Sequence, residues 1–89
     1  MGNIKGQVER IVQSYLPGAK VELDEIPLAE KIGGNIIWDG FSTMGTADRR
    51  KHLWNILRKY IQPTEDIQLI GLLIPLSPAE HHALLDLAA

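Results

Sequence analysis

The chain has 89 residues, 45% of them hydrophobic and 22% charged, with a formal net charge of −2. That length accommodates one hydrophobic core, and the composition is that of a folded globular domain, not a disordered, collagenous or coiled-coil chain. There is no cysteine, which excludes disulfides, thiolate zinc sites, Cys-ligated iron–sulfur clusters and cysteine nucleophiles.

The longest apolar run, Leu69 to Leu76, contains Gly71 and Pro75 and falls short of the roughly 18 residues of a membrane span. Met1 to Gly6 lacks the charged and apolar regions of a secretory signal. A cytoplasmic single domain over residues 1–89, without a membrane partner, is the expectation.

The first element reads as a helix. Ile4, Val8, Ile11, Val12, Tyr15 and Leu16 form one apolar stripe, with Asn3 as N-cap and Pro17-Gly18 as the stop. Ala19 to Asp24 alternates apolar and polar residues, as a half-buried strand does. A loop follows from Glu25 to about Lys31. Gly33-Gly34 marks a turn into a second strand, Asn35 to Asp39, with Ile36 and Trp38 on one face. The short connection predicts an antiparallel hairpin.

Gly40 to Gly45 reads as a loop. Thr46 caps a second helix whose buried stripe is Leu53, Ile56, Leu57, Tyr60 and Ile61, and which ends near Gln62 because Pro63 follows. Ile67 to Leu76 is nearly all apolar and reads as a buried third strand, with Gln68, Ile70, Leu72 and Ile74 on one face. A right-handed crossover through the middle helix places it parallel to the second strand. Ser77-Pro78-Ala79-Glu80 is a capping box opening a last helix to about Leu87. The order is α-β-β-α-β-α, an α+β domain with a three-stranded sheet and helices packed on one face. Apolar residues on both faces of the third strand require a cover, either the last helix or another chain.

Charge is distributed unevenly. Residues 1–48 carry −3, residues 49–59 carry +5, and residues 60–89 carry −4. A basic segment on an acidic body steers anionic partners to one face. The residues that would engage such a partner are Arg49, Arg50, Lys51, Arg58 and Lys59. Arg49 and Arg50 sit in the first turn of the helix, where cations oppose the helix dipole. The competing reading is a solvated face balanced by acids nearby.

Other chemistry is sparse. Ser42 in Gly40-Phe41-Ser42-Thr43-Met44 does not form a G-x-S-x-G elbow. His81 and His82 are adjacent on a helix, so they point about 100° apart and cannot both grip one ion; His52 is isolated. No phosphate-binding glycine loop is present. Trp38 and Trp54 read as core residues. Catalytic residues, metal ligands and a bound cofactor are therefore not expected.

Several of these segments, in this order and spacing, resemble the BolA family. The likeness runs from Val8 to Glu80. It begins at Tyr15-Leu16-Pro17-Gly18-Ala19-Lys20-Val21, continues through Ile36-Ile37-Trp38-Asp39-Gly40-Phe41 and Asp48-Arg49-Arg50-Lys51, and closes at Leu76-Ser77-Pro78-Ala79-Glu80. The resemblance implies a BolA, class II KH-like fold. It also implies work with monothiol glutaredoxins in iron–sulfur handling, or DNA binding, as in known members. The chain departs from the family where ligands would be. Arg50 stands where a histidine follows the helix arginine. Glu25 to Gly33 offers no His or Cys, and Gln68 and Leu69 occupy the place of the histidine at the last strand.

Together these observations predict a non-enzymatic protein-binding adaptor that meets the acidic surface of another protein. A nucleic-acid-binding regulator using helix 49–59 and an iron–sulfur trafficking partner of a monothiol glutaredoxin are the alternatives. A homodimer stays open.

Overall fold

Helix α1, Ile4–Tyr15, forms where apolar residues recur every three to four positions. The computed structural model describes residues 4–88, with side chains through Leu87. The stripe carries Ile4, Val8 and Val12 into the interior, and Leu16 just beyond the helix is also buried; Ile11 is half-buried. The proposed cap Asn3 lies outside the described residues. Gly18 turns the chain at φ 82°, in the left-handed region that glycine enters without a Cβ penalty.

Strands β1, Lys20–Ile26, and β2, Lys31–Ile37, pair antiparallel from Lys20↔Ile37 to Ile26↔Lys31. Both are longer than the sequence pattern predicts, and Gly33-Gly34 lies inside β2 instead of turning into it. The glycines are there because backbones approach closely. At Gly34, φ 153°, a Cβ would collide with the Glu22 carbonyl, and at Gly33 it would meet the Leu72 carbonyl oxygen at 2.8 Å. The turn itself is residues 27–30.

The expected loop after β2 contains a 3₁₀ turn, Asp39–Thr43, that buries Phe41. Ser42 Oγ donates to the Asp39 carbonyl at 2.7 Å. Trp38 packs edge-on against Phe41 at 5.2 Å, and its indole N–H donates to the Pro17 carbonyl at 3.1 Å. Helix α2, Thr46–Tyr60, buries Leu53 and Leu57, with Ile61 buried just after it. Its cap position is Gly45, one residue before the expected Thr46, and no side-chain hydrogen bond caps it.

The third strand starts later than expected. Thr64–Leu69 is a 3₁₀ segment, and β3 spans Ile70–Leu76, parallel to β2 in the sheet order β1-β2-β3. Between the pairs Ile32↔Ile70 and Gly34↔Leu73 the register shifts, with three steps on β3 against two on β2. This bulge separates Ile70 from Leu72 and Ile74, with which simple alternation grouped it. Ile70 and Leu73 face the core, whereas Leu72 is 61% exposed and Ile74 is exposed beside it.

The core lies between one sheet face and helices α1 and α2. Leu23, Ile32, Ile36, Ile70 and Leu73 meet Val8, Val12, Leu53 and Leu57 there. Helix α3, Pro78–Ala88, opens with the expected capping box. Ser77 N–H donates to Glu80 Oε1 at 2.8 Å, and Glu80 N–H donates to Ser77 Oγ at 3.3 Å. Its His81 reaches Glu22, which alternates to the sheet face opposite Leu23. Leu84, Leu85 and Leu87 remain exposed, so α3 leaves the outer ends of Leu72 and Ile74 uncovered.

Candidate functional site

Helix α2 has an inner side set by Leu53 and Leu57 and an outer side that holds the basic residues. The five cations do not act as one group. Arg49 turns inward. Its side chain is 11% exposed, its Nε donates to the Met44 carbonyl at 2.9 Å, and one terminal nitrogen reaches both the Pro75 carbonyl and Glu80 Oε1. This arginine ties the start of α2 to edge strand β3 and to the start of α3. It is engaged within the fold and presents little charge to a partner.

Arg50, Lys51, Arg58 and Lys59 are exposed. None has a carboxylate within 4.0 Å among the described residues, where the ion pairs are Lys20–Glu22, Arg49–Glu80, His81–Glu22 and His82–Asp86. Lys59 lies 5.4 Å from the Tyr60 ring centroid, and Tyr60 stacks on Tyr15 at 4.3 Å. The remaining charges are exposed and make no direct ion pair among the described residues, although Asp48 shares a shallow groove with Lys51.

Arg50 and Arg58 flank Trp54 along one outer row, and with Ile67 from the 3₁₀ segment they line a shallow groove of about 260 Å³. Trp54 is half-buried, its inner edge against the core. Reading Trp54 as core missed this groove. The signal in the sequence is the spacing Arg50, Trp54, Arg58, one residue per helical turn.

The three histidines are separate. His52 stacks on Trp38 with ring centroids 5.9 Å apart. His81 Nε2 lies 3.0 Å from Glu22 Oε1, and His82 pairs with Asp86 at the surface. The Asn35 amide donates to the same Glu22 oxygen and, with His81, holds that carboxyl below its ordinary range. Glu80 is lowered further, to about 2, chiefly by Arg49 and then by the Ser77 N–H.

A protein-held iron–sulfur cluster or metal ion needs donors that converge. Among the described residues no three His, Cys, Asp or Glu side chains do so. The β1–β2 turn presents Pro27, Leu28, Ala29 and Glu30, and Gln68 and Leu69 precede β3. These residues do not fit a cluster, which takes thiolate or imidazole donors.

The mixed three-stranded sheet with its helices defines a class of small α+β domain, and comparison with solved structures identifies it as the BolA fold. The BolA domain of SufE1 from Arabidopsis thaliana is similar over 90% of this chain and 98% of that one, with a TM-score of 0.67 and 15% identity. BolA1 from Arabidopsis thaliana is similar over the same shares, with a TM-score of 0.65 and 17% identity. No family model and no curated protein matches the sequence. Among the described residues, no helix is long and apolar enough to cross a membrane.

Proposed function

We propose that this BolA-like domain is a non-enzymatic adaptor that docks an acidic surface of another protein on the outer side of α2. The observation that carries this reading is the set of four exposed cations, Arg50, Lys51, Arg58 and Lys59, with no carboxylate partner among the described residues. Uncompensated like charge costs the fold a little through self-repulsion and serves to steer an anionic partner. The chain's pI of about 5.8 favours a protein partner over nucleic acid, whose dedicated binders are usually basic.

The test is affinity capture from the source cell with and without nuclease, using the native chain and a variant with all four cations changed to Glu. Nuclease-resistant capture by the native chain, lost in the variant, supports the adaptor reading. Capture that depends on nucleic acid supports the regulator alternative. Capture of a glutaredoxin only in the presence of iron supports the trafficking alternative.

A further inference from the structure

We infer that the row Arg50–Trp54–Arg58 is a docking track for an extended peptide in which an apolar side chain is flanked by two carboxylates, acid-x-apolar-x-acid. The inference deepens the adaptor reading and rests on it. Three observations carry it.

The first is spacing. Arg50, Trp54 and Arg58 succeed one another at i, i+4 and i+8, so each step along the helix rises about 6 Å. In an extended peptide, same-face side chains two residues apart are separated by about 6.6–6.8 Å. One peptide lying along α2 can therefore place acid, apolar residue and acid opposite arginine, tryptophan and arginine in turn.

The second is chemistry. Both arginines are exposed and neither makes a hydrogen bond or ion pair among the described residues, so their planar forks are free for bidentate carboxylate contacts. Between them, Trp54 and Ile67 supply apolar surface in a groove of about 260 Å³, room for one side chain. The Trp54 indole N–H also has no partner among the described residues, which leaves it a donor for a peptide carbonyl.

The third is the charge of the rest of the chain. The segment that delivers Ile67 carries Glu65 and Asp66 immediately before it. The chain as a whole is acidic, with a pI of about 5.8, which suits discrete carboxylates held at Arg50 and Arg58 better than a continuous phosphate backbone, whose dedicated binders are usually basic. The observations therefore favour peptide over single-stranded nucleic acid, although phosphate spacing is similar.

The test uses the native chain and three fluorescent probes at low salt. These are a peptide with the core Asp-Ser-Phe-Ser-Asp, its scramble Asp-Asp-Phe-Ser-Ser, and a short deoxythymidine strand. Anisotropy gives affinities. NMR follows the two indole N–H resonances, with Trp54 assigned by its disappearance in Trp54→Phe and Trp38, bonded to Pro17, as internal reference.

The alternating peptide is expected to bind about tenfold more tightly than its scramble, and Arg50→Glu or Arg58→Glu is expected to weaken it about tenfold. The Trp54 resonance should shift and the Trp38 resonance stay. Equal binding of the two peptides overturns the track while leaving the basic-face adaptor intact. Tighter binding of the deoxythymidine strand, an unmoved Trp54 resonance, or no binding of the alternating peptide also overturns it. Failure of the adaptor reading shows separately, as cellular capture unaffected by reversing all four cations.

Discussion

Arg49 and Glu80 join the starts of two helices that are separated in the chain by the whole of β3. The carboxylate oxygen that meets Arg49 is the one that accepts the Ser77 N–H in the capping box. A local helix-start device is thereby linked to a contact spanning 31 positions. Arg49 also donates to the carbonyl of Pro75 on edge strand β3. Pro75 lacks an N–H, so the arginine and the proline together blunt that part of the edge against pairing with another strand.

The Glu80 contact makes stability depend on acid pH. Its carboxyl is lowered from 4.5 to about 2 in the folded chain, so the contribution is fully present above the unfolded value and is lost as pH falls toward 2. Thermal denaturation measured from pH 6 down to pH 2 should show the melting temperature falling most below about 4.5. Glu80→Gln should lower it at pH 7 and flatten that fall. An unchanged slope would place the acid sensitivity elsewhere, with Glu22 the next candidate because it is lowered in the same direction.

Leu57 is fully buried between α2 and the sheet. Leu57→Ala should cost about 2–5 kcal/mol in denaturant unfolding, the usual range for truncating a core leucine. The α2 side chains on the outer face should behave differently: Asn55→Ala should stay within about 0.5 kcal/mol of the native chain.

Gly34 gives a backbone test. Its φ of 153° and the nearness of the Glu22 carbonyl leave no place for a Cβ. Gly34→Ala should destabilise by about 1–3 kcal/mol, whereas Gly45→Ala, with nothing within 4 Å of the added carbon, should cost less. Equal losses at the two positions would mean that β1 and β2 can move apart without penalty.

The same glycine shows where sequence reasoning stopped. Periodicity gave α1, α2 and the capping box because each depends on neighbours within a turn or two, and the element order followed. Gly33-Gly34 looked like a turn because a glycine needed for close strand approach and one needed for reversal are the same residue type. The bulge that separates Ile70 from Leu72 arises from pairing with β2, which no window on β3 contains. At the candidate site, charge was legible but partners were not. Arg49 and Arg50 are adjacent and alike in sequence, and only tertiary contacts with Pro75 and Glu80 distinguish the structural arginine from the exposed one.

Metal content offers an independent check. His52, His81 and His82 each lie against a different neighbour, and no donor set of three converges among the described residues. Purified protein should carry far less than one iron or zinc per chain at neutral pH by elemental analysis. Near-stoichiometric metal that disappears on mutating His52 or His82 would contradict this expectation.

Charge reversal on α2 separates binding from folding. Arg50 and Lys51 follow the first turn of α2, Thr46 to Arg49, so the helix dipole opposes them only weakly. Neither is repaid by a carboxylate among the described residues. Changing both to Glu should therefore leave the melting temperature equal or raised, because both side chains are exposed and the change relieves the like charge they share with Arg49. Association with the protein partner should slow, most at low salt, since exposed charges act mainly on the encounter rate. Stopped-flow or surface-binding kinetics across a salt series would read both effects. An unchanged association rate at low salt, with the fold intact, would make this side of α2 a solvated face and require the adaptor site to be sought elsewhere.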